Sequence, residues 1–131
     1  MMLVLVSPFY IDLFNMKNTL KLEELALFSI GIVAFSTLDI AWWWFLVLLL
    51  VPDIGMLGYL INSKVGAFTY NLCHHRAIAV VLIVFGYFYG NTILLLSGIM
   101  LFSHIAFDRM LGYGLKYPDS FNNTHLGSIG K

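Results

Sequence analysis

Five ionisable side chains lie within apolar stretches of this 131-residue chain: Glu23, Asp53, His74, His104 and Asp108. Imidazole and carboxylate groups ligate divalent metals, and imidazole also moves protons near neutral pH. His104 and Asp108 are one helical turn apart and share a face. Tyr70, Asn71 and His74 repeat that grouping at i, i+1 and i+4. Pro52 precedes Asp53, removes a backbone donor and frees a carbonyl one turn earlier. Asp53, His74, His104 and Asp108 are therefore the expected ligands of one divalent metal ion. A mixed nitrogen and oxygen set with an open position suits zinc, manganese or iron and activates water. Glu23 is the expected general base, and Arg109, Lys116 and His125 are the groups expected to hold an anionic head group or phosphate. The same residues support a blander arrangement, in which Asp53 or Asp108 pairs with Arg109 or Arg76 and the two imidazoles hydrogen-bond between helices.

The surroundings of these groups make their cost decisive. The chain is 60% hydrophobic and 11% charged, with seven basic and seven acidic residues, and its mean hydropathy is +0.88. A soluble domain carries about 25% charge, so lipid is the expected solvent, and a chain of zero net charge offers no nucleic-acid groove. A charged group at mid-membrane costs about 2.5–3.5 kcal/mol, so three unpaired carboxylates would cost about 8–10 kcal/mol. That rivals the roughly 5–15 kcal/mol stability of a whole domain. These groups must be paired, protonated or bound to a cation.

Four apolar segments, at about 22–38, 42–60, 67–89 and 92–113, must position them. Each suits a helix crossing a hydrocarbon layer of roughly 30 Å. Short links join them, which predicts an all-α, up-down-up-down four-helix transmembrane bundle in a single domain, 16–131, ending in a short tail. Lys17, Lys21, Lys64, Arg76, Arg109, Lys116 and Lys131 all fall on one side, and the opposite loops carry no Lys or Arg. The positive-inside rule then puts both termini in the cytoplasm and makes this a multi-pass protein of the inner (plasma) membrane. Counted from the cytoplasmic ends, Asp53 and His104 lie roughly 13 Å deep, His74 roughly 10 Å, and Glu23 and Asp108 roughly 5–8 Å. Residues 1–15 form an extension that either lies on the membrane surface or precedes a true start at Met16. His75 points away from His74 and reads as interfacial, and the lone Cys73 reads as a small buried apolar residue.

Several blocks carry a wider resemblance: Pro52-Asp53 with Met56-Leu57-Gly58-Tyr59-Leu60, Tyr70-Asn71-Leu72 with His74, His104-Ile105 with Phe107-Asp108-Arg109, Gly112 through Pro118, and Phe121 with Thr124-His125-Leu126-Gly127. Through them the chain, from about Lys21 to Gly130, resembles a bacterial integral-membrane family catalogued as domain of unknown function 4260. The resemblance implies the four-helix membrane architecture and supplies no activity. Its pattern singles out Glu23, Asp53, Asn71, His74, His104, Asp108, Arg109, Lys116 and His125, while His75-Arg76-Ala77 departs from it. The function these readings favour is an intramembrane metal-dependent hydrolase acting on a lipid-like or anionic substrate from the cytoplasmic leaflet. The expected partners are the bilayer, an anionic lipid or small molecule, and a second copy of the chain. The alternatives are a proton- or ion-coupled transporter or channel subunit, and a structural membrane protein with a polar core. The outer half of each helix offers no polar stepping stones, which disfavours a through-pore.

Overall fold

The computed structural model of the chain describes residues 15–129. Of the expected extension over residues 1–15, residues 1–14 lie outside that range. Helix α1 is Met16–Ser36, capped by Asn15, whose side chain accepts from the Lys17 N–H at 3.1 Å. Helix α2, Trp43–Leu49, runs into a 3-10 helix over Val51–Leu60. Helix α3 is Ser63–Cys73, α4 is Arg76–Phe88 and α5 is Thr92–Leu111. A small antiparallel hairpin of β1, Asn123–Thr124, and β2, Gly127–Ser128, closes the described chain. Helix α5 packs against both α1 and α4, while α3 packs against the 3-10 helix.

Three of the four expected helices differ from their predicted form in ways that matter to the site. The second is not a continuous α-helix, because Pro52 has no N–H to donate and the chain tightens to i→i+3 bonding. Its burial follows the new period: Pro52, Gly55 and Gly58 are buried, and Val51, Ile54, Leu57 and Leu60 are exposed. Backbone approach explains the glycines. A Cβ on Gly55 would lie 2.8 Å from the Thr69 carbonyl oxygen, and one on Gly58 would lie 2.1 Å from Thr69 Oγ1. The third helix breaks at His74, where φ is −120° and ψ is 21°, and restarts at Arg76. His75 caps the restart, accepting from the Ala77 N–H at 3.2 Å. The fourth ends at Leu111 because Gly112 adopts a left-handed conformation at φ 94°.

The segments Trp43–Leu60, Ser63–Phe88 and Thr92–Leu111 are each long and apolar enough to cross a membrane. Helix α1 is long enough at about 1.5 Å per residue, but Lys17, Lys21, Glu23 and Glu24 fill its first half with charge. Large apolar side chains cover the outside of the molecule, with Ile54, Phe68, Val81 and Ile93 among those exposed. That distribution inverts a soluble protein's and suits a hydrocarbon solvent. Inside, Phe35, Phe45, Leu49, Ile99 and Met100 form one apolar cluster. Directly along α5 from it lie the fully buried Ser103 and His104.

Candidate metal centre

Two helix irregularities create this centre. In an unbroken helix the Asp53 N–H would bond the Leu49 carbonyl. Here it bonds Leu50 instead, at 3.2 Å, and the freed Leu49 carbonyl accepts from His104 Nδ1 at 2.5 Å. The same substitution occurs at the end of α3. The His74 N–H turns to the Asn71 carbonyl at 3.2 Å, and the freed Tyr70 carbonyl accepts from His74 Nδ1 at 2.8 Å.

A carbonyl only accepts, so both Nδ1 atoms carry hydrogen and a neutral ring presents a bare Nε2. The two Nε2 atoms face each other at 2.9 Å. Asp53 Oδ1 lies 3.2 Å from the His104 Nε2 and 3.5 Å from that of His74. Asp108 Oδ2 lies 3.2 Å from His74 Nε2 and 3.4 Å from His104 Nε2. All four atoms fall within 4.8 Å of one another. With both rings neutral, four lone-pair acceptors converge on one point, where a metal ion or a shared proton can hold them together. Donors about 2.0–2.2 Å from a tetrahedral centre are separated by about 3.3–3.6 Å. Five of the six separations run from 2.9 to 3.5 Å, two of them inside that range and three below it, so the cluster is near the size of a site for one small divalent ion.

The supporting groups are specific. The Tyr70 hydroxyl donates to Asp108 Oδ2 at 3.1 Å, and its ring stacks on His74 with centroids 3.8 Å apart. Both imidazoles are buried, Asp108 is nearly so, and Asp53 keeps 32% of its side chain exposed. Access is therefore on the Asp53 side.

The other expected site residues fare differently. Arg109 is close by, with Nη2 donating to the His74 carbonyl at 3.4 Å and Nη1 3.4 Å from His125 Nε2. Lys116 is buried rather than presented at a surface, its Nζ 3.8 Å from the Phe121 ring centroid and 4.9 Å from that of Tyr70. Burial pulls its ammonium below the usual lysine range, against the pull of Asp108. Glu23 is exposed on α1 and does not join the cluster. Its neighbour Glu24 turns inward and pairs with Arg76 at 2.5 Å. Arg76 therefore serves Glu24 and not Asp53 or Asp108. Glu24 had one visible signal, since it continues the i, i+4, i+7 face of Lys17 and Lys21.

The tail is folded, not loose. Asn71 clamps it: its amide nitrogen donates to the Lys116 carbonyl at 2.8 Å, and its oxygen accepts from the Lys116 N–H at 2.7 Å. Residue 116 bridges to Thr124, and the Thr124 hydroxyl donates to the Gly127 carbonyl at 2.6 Å. His125 is fixed between backbone groups, with its own N–H on the Leu115 carbonyl at 3.1 Å and its Nδ1 accepting from the Leu115 N–H at 2.8 Å. Partial burial, and then the Arg109 charge, push this imidazole below its ordinary value.

A family model described as a domain of unknown function, DUF4260, matches residues 17–129. The chain belongs to this family. No curated protein and no solved structure matches it. The DUF4260 match covers all four metal-ligand candidates, the Asn71 clamp and the C-terminal hairpin, so the centre and its cover belong to one unit.

Proposed function

We propose that this chain is an intramembrane metal-dependent hydrolase that acts on a lipid-like, anionic substrate reached from the cytoplasmic leaflet of the inner membrane. One divalent ion, zinc, manganese or iron, would be held by Asp53, His74, His104 and Asp108. The observation that carries this reading is the convergence of four acceptor atoms, with both imidazole Nδ1 protons already spent on freed carbonyls. A metal bound there supplies Lewis-acid polarisation of an ester oxygen and lowers the pKa of water.

The protein's own groups do the rest. The Leu49 and Tyr70 carbonyls hold the rings in one tautomer, and Tyr70 holds the Asp108 carboxylate. Asp53 is the ligand candidate most open to solvent. Its Oδ1 faces the imidazoles, leaving Oδ2 to take the proton from an incoming water. Hydrolysis then adds water across one ester bond, with oxygen joining the electrophilic centre and the alcohol leaving protonated. Arg109 steadies negative charge, and the buried Lys116 keeps a positive field beside Tyr70.

The test is turnover of fluorogenic amphiphilic carboxylic and phosphate esters in detergent micelles, after chelation and after restoring zinc, manganese or ferrous iron. Turnover should vanish on chelation, return with one metal, and drop at least about 100-fold in His104→Ala, on the scale of losing a principal catalytic group. Turnover that ignores chelation, or no turnover across the panel by metal-loaded protein, overturns the proposal.

A further inference from the structure

A second site lies beside the first. A cavity of about 470 Å³ opens between the start of α1, the end of α5 and the C-terminal hairpin. Lys17, Lys21 and Arg109 line it together with His125. Lys17 and Lys21 make no ion pair among the described residues. The one lining carboxylate, Glu24, is already committed to Arg76. Among the described residues, the cavity therefore holds an uncompensated positive charge.

The contact between Arg109 and His125 points the same way. The Leu115 N–H donates to His125 Nδ1, so a neutral ring carries its hydrogen on Nε2. That nitrogen faces Arg109 Nη1 at 3.4 Å, and both are donors. Two donors held side by side, with two lysines near, lack only an acceptor. An anionic oxygen between them would satisfy both with charge-assisted bonds. Leu20, Leu111, Leu126 and Ile129 give the wall an apolar side, with Tyr113 and Ser128 also lining it.

We propose that this cavity binds the phosphate group of an amphiphile, with Lys17, Lys21, Arg109 and His125 on the phosphate and the leucines on the adjoining chain. This names the substrate class of the proposed hydrolase and rests on that reading for its consequence. Arg109 is the link, since it reaches His125 with one nitrogen and the carbonyl of His74 with the other. A substrate anchored by its phosphate is thereby held next to the metal-ligand cluster.

Binding to the intact protein in maltoside micelles tests it, with dihexanoyl phosphatidate, dihexanoyl phosphatidylcholine and inorganic phosphate as probes and metal content measured in parallel. Phosphatidate should bind at least about 10-fold more tightly than either other probe. The pair Lys17→Ala with Lys21→Ala should remove that preference, while Lys64→Ala, on α3 away from the cavity, leaves it intact. Metal content should be unchanged in all three proteins. Equal binding of inorganic phosphate and phosphatidate would overturn the amphiphile and leave a soluble anion as the ligand. Equal binding of the two lipids would overturn selection of a phosphate monoester, and no effect of the lysine pair would overturn the phosphate site altogether. Phosphatidate preference without any bound metal would sink the hydrolase reading and leave the anion site standing.

Discussion

The direction in which each imidazole points is decided by a backbone oxygen that lost its helical partner. Leu49 lost its partner because Pro52 tightened the next turn, and Tyr70 because α3 ends at Cys73. Proline's effect is readable in the residues, as is the His104 and Asp108 spacing, and all four converging groups were legible in the sequence. The choice between Glu23 and Glu24 was not. Adjacent helical residues point about 100° apart, and which one turns inward depends on where Arg76 arrives from another helix. At this scale Tyr70 is the most informative side chain to change. In Tyr70→Phe the ring still stacks on His74 while Asp108 loses its hydroxyl donor. Metal affinity should fall about 10–100-fold, the usual cost of losing an outer hydrogen bond, with little change in melting temperature. Competition titration against a chromophoric chelator reads it, and unchanged affinity would show that Asp108 is not a ligand.

Elements bring the four groups together by being imperfect. A 3-10 helix of ten residues is unusually long, and it lasts because its buried face repeats every third residue as Pro52, Gly55 and Gly58. The Thr69 hydroxyl bonds the Gly55 carbonyl at 2.6 Å and ties this face to α3. Close packing through these glycines was legible in the sequence, but the change of period was not, because apolar residues on the lipid side mask it. The break at His74 was equally hidden, because no proline or glycine marks it. Gly58→Ala should separate the 3-10 helix from α3, since its Cβ would meet Thr69 Oγ1 at 2.1 Å and the Val65 carbonyl at 2.8 Å. Overpacking of this kind costs about 1–3 kcal/mol, and it displaces Asp53 too. Thermal unfolding in micelles should show the loss together with weakened metal binding, while Leu57→Ala, on the exposed face, should show neither.

Across the whole molecule, polarity is arranged inside out. Apolar residues cover the surface, while His74, His104, Ser103 and Lys116 are among the few buried polar groups. The composition announced that inversion and predicted four spanning helices, of which three segments are long and apolar enough to cross a membrane. It did not announce that the tail is a docked hairpin, because that depends on Asn71 reaching the backbone of residue 116 from a distant helix. Nor did it show the cavity that α1 forms with that hairpin. Everything proposed for the chemistry rests on a cation at the meeting point of Asp53, His74, His104 and Asp108. Elemental analysis of the purified full chain, with X-ray absorption at the edge of the metal found, examines that point directly. One first-row divalent ion per chain, scattering from two imidazoles and lost in His104→Ala, is the predicted result. A wild-type chain that neither retains nor takes up such an ion would contradict it and leave the cluster to protons alone.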